Sequence, residues 1–288
     1  MKYDLHLHSN YSDGQFNPEK VIDLAIETGM SGISITDHDT VDAIPLAEDY
    51  LMKKDISNFE LIKGIEFGTT YLDDEVHILG YFIDYKDKSL TKAIDSLKKR
   101  RKKRSLKIKD KLNSLDIDIS NEDIRMESNT DFTGRVPIAK ALVKKGYVES
   151  ISEAFEKYIG IGCPAYVDKD NYSVEEIISI IKNAGGVAIL AHPVLLYNDK
   201  TIDYVRSLGI DGIECVHSKH DKETTRKFYD YAKKHNLLTT GGSDCHGRLI
   251  EGELLIGKYT SSEMELEKMR EVHYARRKRE QETKTISK

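Results

Sequence analysis

The sequence predicts an α/β protein, a distorted (β/α)7 TIM-like barrel interrupted by an inserted helical lid subdomain. About seven short apolar runs alternate with helical segments, which indicates right-handed crossovers and a largely parallel sheet. Histidines and carboxylates follow the ends of these runs, as side chains do at the active face of a barrel. A chain of 288 residues can bury a core of that size.

Capping residues and apolar runs mark the amino-terminal elements. Asn17 can cap a helix, Pro18 suits its first turn and Gly29 marks its end, so we predict a helix over residues 17–30. The remaining elements of this half are a helix over residues 42–53 and strands over residues 32–36, 59–65 and 76–83.

A second run of alternating elements follows in the carboxy-terminal half. Ser173 and Glu176 form a capping box that opens a helix, and Gly185-Gly186 ends it. The predicted strands of this half cover residues 187–191, 210–216 and 237–240.

Residues 88–164 differ from the rest of the chain. They contain no histidine and are dense in charge, and helical patterns cover residues 90–115, 135–145 and 152–158. We interpret them as a helical insertion that covers the barrel mouth as a lid; a helical pair that only pads the barrel is the alternative. The barrel then comprises residues 1–87 and 165–262, and residues 263–288 form a charged terminal helix that frays into a tail.

Composition and charge exclude several classes of protein. A net charge of −5 gives no general sign of a polyanion partner, and three isolated cysteines argue against a disulfide framework and for a reducing compartment. No apolar run reaches the ~18 residues that a membrane span needs, and the first residues lead directly into a histidine motif rather than a signal peptide. We expect a soluble, cytoplasmic protein without membrane association, and no protein partner can be inferred.

Two metal-ligand motifs stand near the ends of the chain. His6 and His8 share one face of an extended strand, where two imidazoles form half of a metal pocket. Asp244 and His246 share a face in the same way, while Cys245 points away and packs. Asp13, in a polar loop before a glycine, is either a further ligand or a turn residue.

A third motif follows the second predicted strand. His38 stands between Asp37 and Asp39, and only one parity of an extended segment can face the site. The histidine is the better ligand, which leaves the aspartates as partners that orient ligands or as helix caps.

Glu66, His77 and His192 complete the set of candidate ligands. Glu66 follows an apolar strand, where a bridging carboxylate would lie. Imidazoles mixed with carboxylates, without a pair of thiolates, favour Mn, Fe or Zn in a polynuclear site. Water that bridges two such ions is deprotonated near neutral pH, and the ions neutralise phosphoryl charge, so the residues predict phosphoester hydrolysis by attack of hydroxide on phosphorus.

The candidate ligands occur along the chain in the order H-x-H, D-H, E, H, H and D-x-H. With this pattern the chain resembles, over nearly its whole length, the polymerase and histidinol phosphatase family of metal-dependent phosphoesterases. This resemblance implies a distorted seven-stranded barrel that holds two to three divalent ions. It implies a first ion on His6, His8, Glu66 and Asp244, a second on Glu66, His77 and His192, and a third on Asp13, His38 and His246.

Within that family the chain most resembles the branch that hydrolyses nucleoside 3′,5′-bisphosphates and short 5′-phosphorylated oligonucleotides, on segments that include residues 6–14, 36–40 and 240–247. The implied partner is a small phosphorylated nucleotide or a short RNA or DNA oligonucleotide. Candidates for binding its second phosphate are Arg135, Lys169, His217 and His220, although the first two residues could also be ordinary helix and surface charges. The candidates for the general acid are His192, His217 and a bound water.

Other functions compete with this one. Histidinol phosphate or another small phosphomonoester is an alternative substrate, and a catalytically inactive metal or nucleic-acid binding module is an alternative class of protein. Residues 37–41 match the nucleophile signature of haloacid-dehalogenase-type phosphatases, but that interpretation leaves the histidine motifs unexplained. A cysteine phosphatase is excluded because no cysteine is followed by arginine six residues later.

The basic run over residues 98–104 could guide a polynucleotide, although a solvated helix face is the preferred interpretation.

Overall fold

The computed structural model describes residues 1–127 and 134–286. The chain divides into two compact units: Met1–Ala93 with Tyr172–Lys288, which contains the sheet, and Ile94–Asn171, which is helical in its described part. The boundary lies inside a long helix that begins at Lys88. The lid function of the helical segment stays a prediction.

The first unit is built on one sheet of eight strands in the order β7-β6-β5-β4-β3-β2-β1-β8. The strands are β1 (Lys2–Leu7), β2 (Gly32–Ile35), β3 (Glu60–Tyr71), β4 (Asp74–Tyr81), β5 (Val187–Leu190), β6 (Gly212–His217), β7 (Leu238–Gly242) and β8 (Ser261–Ser262). Strands β1, β2 and β3 run parallel to one another, as do β5, β6 and β7. The predicted α/β barrel is therefore confirmed.

Strand β4 differs from the predicted parallel pattern. It pairs antiparallel with β3 on one side and with β5 on the other. β3 also continues past Glu66 to Tyr71, whereas the sequence suggested an end at residue 65, and a two-residue turn at residues 72 and 73 then reverses the chain. Because β4 runs backwards, its first residues lie at the same edge as the last residues of the parallel strands. His77 reaches that edge for this reason.

The two ends of the sheet meet and nearly close the barrel. The Asp244 amide donates to the His6 carbonyl (N···O 2.8 Å), and the His8 amide donates to the Cys245 carbonyl (3.1 Å). Also near the carboxyl end of β7, the Gly241 amide donates to the Ser261 hydroxyl of β8 (2.6 Å). The sequence did not predict β8, because two residues are too short to show a period.

The helices for which the sequence predicted bounds lie close to those bounds. The helices are α1 (Pro18–Glu27), α2 (Ala43–Lys53), α3 (Lys88–Asn113), α4 (Asn121–Met126), α5 (Arg135–Lys144), α6 (Ile151–Ala154), α7 (Val174–Asn183), α8 (Asp199–Ser207), α9 (Lys222–His235) and α10 (Glu263–Ile286). Of these, α4, α8 and α9 are additional helices without a predicted counterpart. A π-helical turn at Phe155–Ile159 extends α6. The Asn17 side chain accepts from the Lys20 amide, and the capping box of Ser173 and Glu176 forms on α7.

Helix α10 continues further than the sequence suggested. It runs to Ile286, through a stretch that we expected to fray into a tail, because its Glu, Lys and Arg residues are also strong helix formers. Leu266 and Met269 of this helix are fully buried in a core cluster with Tyr3 and Leu5 of β1. Within residues 1–127 and 134–286, no helix is long and apolar enough to cross a membrane.

Candidate metal centre

Polar side chains converge at the edge of the barrel where the parallel strands end. They come from β1, from the segments that follow β1, β2, β5 and β7, and from within β3 and β4; they are His6, His8, His38, Glu66, His77, His192, Asp244 and His246. His192 and Asp244 have positive φ values (25° and 55°) directly beyond their strands. Such backbone strain persists where the surrounding structure enforces it, and functional sites are common places for it.

Glu66 lies at the middle of this group. Its Oε2 is 3.3 Å from His6 Nε2, 3.1 Å from His8 Nε2 and 3.2 Å from His38 Nδ1. Its Oε1 is 2.8 Å from His77 Nδ1 and 3.2 Å from His192 Nε2. One carboxylate therefore faces five imidazoles, three with one oxygen and two with the other, which is the arrangement of a bridging ligand.

Asp244 faces part of the same group. Its Oδ1 lies 3.1 Å from His8 Nε2 and 3.4 Å from His6 Nε2. The donor atoms of His6, His8, Glu66 and Asp244 all lie within 4.8 Å of one another. This set matches the first ion that the family resemblance implied.

Asp13 defines another group at the same edge. Its carboxylate lies 3.3 Å from His246 Nε2 and 4.0 Å from His38 Nε2, and His8 is also within reach. The other nitrogen of His38 faces Glu66. A neutral imidazole offers one lone pair, so His38 can serve one ion in this centre but not two.

Burial and charge together explain the electrostatics of the centre. Burial alone would lower the pKa of His8, but the carboxylates of Asp244 and Glu66 raise it to about 10. Burial would likewise raise the pKa of Glu66, yet the surrounding histidines hold it well below its usual value. The centre therefore has a strong preference for positive charge between its carboxylates, which protons or cations can supply.

The chemistry of the donors fits divalent metal ions. His6 Nε2, His8 Nε2, Asp13 Oδ1 and Glu66 Oε2 are buried, and none of the four has a hydrogen-bond partner in the described part of the chain. Buried polar atoms normally have partners, so several orphans that face one another require an explanation. Imidazole nitrogens and carboxylate oxygens that converge in this way are ligands for Mn, Fe or Zn.

The aspartates beside His38 hold the loops that carry ligands. Asp37 is buried and accepts from the Ser9 amide (2.7 Å), the Ser9 hydroxyl (2.5 Å) and the Ser12 hydroxyl (2.6 Å). Asp39 accepts from the Gly68 amide at 3.3 Å. Neither residue caps α2, whose N-cap position is Asp42. Of the two roles that we considered, the structure supports orientation of ligands.

The candidates for substrate binding differ in their surroundings. His217 is buried, and its Nε2 lies 3.4 Å from Asp244 Oδ2. His220 donates from Nδ1 to the Cys215 carbonyl (2.9 Å), and burial lowers its pKa to about 4. It is therefore neutral at pH 7 and does not supply charge to a second phosphate. Arg135 and Lys169 belong to the helical unit, where the Arg135 guanidinium lies over the Phe155 ring.

Glu214, inside β6, faces the centre but was not among the residues that the sequence predicted. This glutamate is fully buried, with Oε1 3.1 Å from His6 Nδ1 and Oε2 2.8 Å from the His192 amide. A charged residue inside the apolar run of residues 210–216 was the available signal. An irregularity in the register between Glu214 and Val216 lets both Glu214 and His217 face the centre although three positions separate them.

A nearly closed barrel that gathers imidazoles and carboxylates at one edge is the scaffold of a metal-dependent hydrolase. Comparison with known proteins identifies the family: the PHP domain matches residues 4–272, and the chain belongs to the PHP family. The family that the sequence suggested is thereby confirmed. Fold and site define a metal-dependent phosphoesterase.

Three similar proteins illustrate the family. A 5′-3′ exoribonuclease from Haemophilus influenzae is 34% identical over 85% of this chain and 90% of its own. A 3′,5′-nucleoside bisphosphate phosphatase from Chromobacterium violaceum is 30% identical over 84% of this chain and 86% of its own. A solved structure from Bifidobacterium adolescentis, described as a metal-dependent phosphoesterase, superposes with a TM-score of 0.81 at 28% identity and covers 93% of this chain and 94% of its own.

Proposed function

We propose that this enzyme hydrolyses phosphomonoesters of nucleotides, with nucleoside 3′,5′-bisphosphates as the preferred substrates. The observation that carries the proposal is the position of Glu66, whose two oxygens face five imidazoles. A carboxylate shared in this way suits adjacent divalent ions, and adjacent ions suit a phosphoryl group. The relative named as a 3′,5′-nucleoside bisphosphate phosphatase supports the choice of substrate.

The proposed ligand sets follow the contacts of the three carboxylates. Glu66 and Asp244 with His6 and His8 would hold one ion. Glu66 with His77 and His192 would hold a second, and Asp13 with His38 and His246 a third. Manganese, iron or zinc in these positions would supply Lewis acidity and would lower the pKa of bound water.

We assign different roles to the two histidines among the candidates for the general acid. His192 Nε2 faces Glu66, so its lone pair belongs to the ligand set. His217 Nδ1 accepts from the Lys219 amide at 3.0 Å, so the neutral ring carries its hydrogen on Nε2, toward the centre. His217 can therefore donate a hydrogen bond to a phosphate oxygen or to the oxygen of the leaving group. Asp244, 3.4 Å away, orients this ring.

A second candidate substrate is a short 5′-phosphorylated oligonucleotide. The relative from Haemophilus influenzae, named as a 5′-3′ exoribonuclease and 34% identical, favours it. Both substrates present a phosphate with a second phosphate nearby, and a site that distinguishes them must contact the part of the substrate beyond the first nucleotide.

A hydrolysis panel tests the proposal. Manganese-loaded enzyme is assayed on adenosine 3′,5′-bisphosphate, 5′-phosphorylated dinucleotides, AMP and histidinol phosphate under identical conditions, with chelator-treated enzyme as the control. We expect the highest kcat/KM for the bisphosphate and a lower value for the dinucleotides. A preference for histidinol phosphate would replace nucleotides by another small phosphomonoester. No turnover of any substrate by metal-replete enzyme would indicate a binding module.

A further inference from the structure

We infer that Glu214 is a positioning residue that sets the hydrogen-bonding state of His6 and holds the backbone of His192, so that one carboxylate prepares ligands of two adjacent ions. This inference rests on the ligand sets proposed above. The Glu214 side chain is fully buried, with a solvent-accessible fraction of 0%.

The first contact determines which nitrogen of His6 is available. An ionised carboxylate only accepts hydrogen bonds, so Glu214 Oε1, 3.1 Å from His6 Nδ1, requires a hydrogen on that nitrogen. Nε2 of the same ring, which faces Glu66 and Asp244, is then the nitrogen with the lone pair. Histidines that bind metals are commonly oriented by a carboxylate in this way, and the carboxylate also makes the ligand more basic.

The second contact holds a strained segment of backbone. Glu214 Oε2 accepts from the His192 amide at 2.8 Å. His192 has φ 25° and ψ 60°, a conformation that few residues other than glycine adopt. A charge-assisted hydrogen bond to this amide stabilises the conformation that directs His192 Nε2 toward Glu66.

Glu214 itself is a poor candidate for a ligand. It lies close to His6 and His217, and the three together could in principle enclose an ion. Each of its two oxygens already accepts a hydrogen bond, however, and His217 Nδ1 accepts from the Lys219 amide. The orphaned atoms His6 Nε2 and Glu66 Oε2 lie instead on the other side of the His6 ring. His217 Nε2 also has no hydrogen-bond partner in the described part of the chain, but it carries the hydrogen of its ring when Nδ1 accepts.

The Glu214→Gln variant tests this inference. A glutamine cannot accept from both partners, because one of its ends is an amide that only donates. The matched control is Asp74→Asn, which neutralises another buried carboxylate whose partners, the Tyr197 amide (2.6 Å) and the Thr201 hydroxyl, are not proposed ligands. Zinc binding is measured by competition with a chromophoric chelator, and the His6 Nδ1 proton is followed by NMR of protein labelled with 15N-histidine.

We expect Glu214→Gln to weaken zinc binding by about 10–100-fold, because glutamine keeps at most one of the two contacts, while Asp74→Asn leaves zinc binding unchanged. The Nδ1 proton of His6 shows which contact is lost: it disappears where the glutamine amide faces His6, and it stays where the amide faces the His192 N–H. Unchanged zinc affinity in Glu214→Gln would overturn the inference.

The NMR signal separates this inference from the proposed function. The Nδ1 proton of His6 should be present in metal-free wild-type protein as well, because Glu214 requires it there too. If that proton is present but the wild-type protein binds no zinc, the proposed ligand sets are wrong and the Glu214 contact stands. If Glu214→Gln does not fold, Glu214→Asp keeps the charge but is too short to reach both partners, and a wild-type zinc affinity in that variant would contradict the inference.

Discussion

At the scale of single residues, the metal centre depends on a few buried carboxylates. Glu66 faces five imidazoles, and Asp244 faces two of those together with His217 and His246. The surrounding histidines hold the pKa values of both carboxylic acids well below their usual range, so both groups are ionised. Two negative charges in a buried site attract cations strongly, and the loss of either charge should weaken the binding of every ion nearby.

Asp244→Asn should remove metal and activity but leave the barrel folded. Asparagine has the same shape and tolerates the left-handed backbone of this position (φ 55°), but it lacks the charge that faces His6 and His8. We expect hydrolysis to fall by at least about 100-fold, with a matching loss of metal by elemental analysis. Asp55→Asn, at an exposed position with a similar φ of 53°, is the control. Full metal content and full activity in Asp244→Asn would remove this residue from the ligand set.

Arg135→Ala should affect bisphosphates more than simple phosphates. The sequence predicts that the Arg135 guanidinium binds the second phosphate; such a contact contributes about 1.5–3 kcal/mol, so on that prediction its loss should raise KM for the bisphosphate by about 10-fold or more. KM for an aryl phosphate, which has one phosphate, should not change. Arg125→Ala is the control, because Arg125 lies in the same unit and pairs with Glu122. Equal effects of Arg135→Ala on both substrates would assign Arg135 a structural role, such as its contact with Phe155.

At the scale of elements, local sequence patterns predicted the helices and strands better than they predicted how the strands pair. The caps of α1 and α7 and the buried strands followed directly from residue types, because these signals act over a few positions. The direction of β4 did not follow, because the turn at Leu72 and Asp73 carries no glycine or proline to mark a hairpin. The centre was predictable in outline, since motifs such as His6 and His8 combine residue type with strand period.

Glu214 is a residue of the centre that the sequence did not predict. The sequence patterns indicated candidate residues at strand ends, whereas this glutamate lies in the middle of β6. An isolated carboxylate in an apolar strand must be paired when it is buried, because an unpaired buried charge is very costly. That rule could have marked the residue, but it could not have named His6 and the His192 amide as its partners. The register irregularity of β6 is equally invisible in the sequence.

Strands β7 and β1 approach closely at Gly242, and this contact should be sensitive to a single methyl group. A Cβ at this position would lie 2.5 Å from the His6 backbone nitrogen and 2.3 Å from its Cβ, so β1 would have to shift. We expect Gly242→Ala to cost about 3 kcal/mol or more and to reduce metal affinity, because His6 moves with its strand.

The matched control for Gly242 is Gly80→Ala in β4. There a Cβ would meet only side-chain atoms, at 3.0 Å from Ile181 and 3.2 Å from Ile65, and these can adjust. Thermal unfolding and zinc titration of both variants provide the comparison. If Gly242→Ala were as stable as Gly80→Ala and bound zinc as the wild type does, β1 and β7 would not need this close contact to place His6.

At the scale of the whole molecule, the carboxy-terminal elements β8 and α10 contact the first strand, β1. β1 pairs with β8, and the Tyr3 hydroxyl donates to Glu263 of α10 at 2.7 Å. Further along α10, Arg276 pairs with Asp211 at 2.9 Å. The ligands of the centre also come from both ends, since His6 and His8 precede the first helix and Asp244 and His246 follow the last parallel strand. The centre therefore requires the complete barrel.

Removal of residues 263–288 should consequently destabilise the barrel and empty the metal centre together. The truncation uncovers the core side chains that pack on Leu266 and Met269, and the loss of one such leucine alone costs about 2–5 kcal/mol. We expect Tm to fall by about 10 °C or more, with zinc binding lost at the same temperature as the fold. Removal of residues 280–288 alone keeps Leu266, Met269 and the Arg276 contact, and it should leave Tm nearly unchanged. If the longer truncation kept both the wild-type Tm and its zinc affinity, α10 would be an appendage and the barrel would hold β1 in place without it.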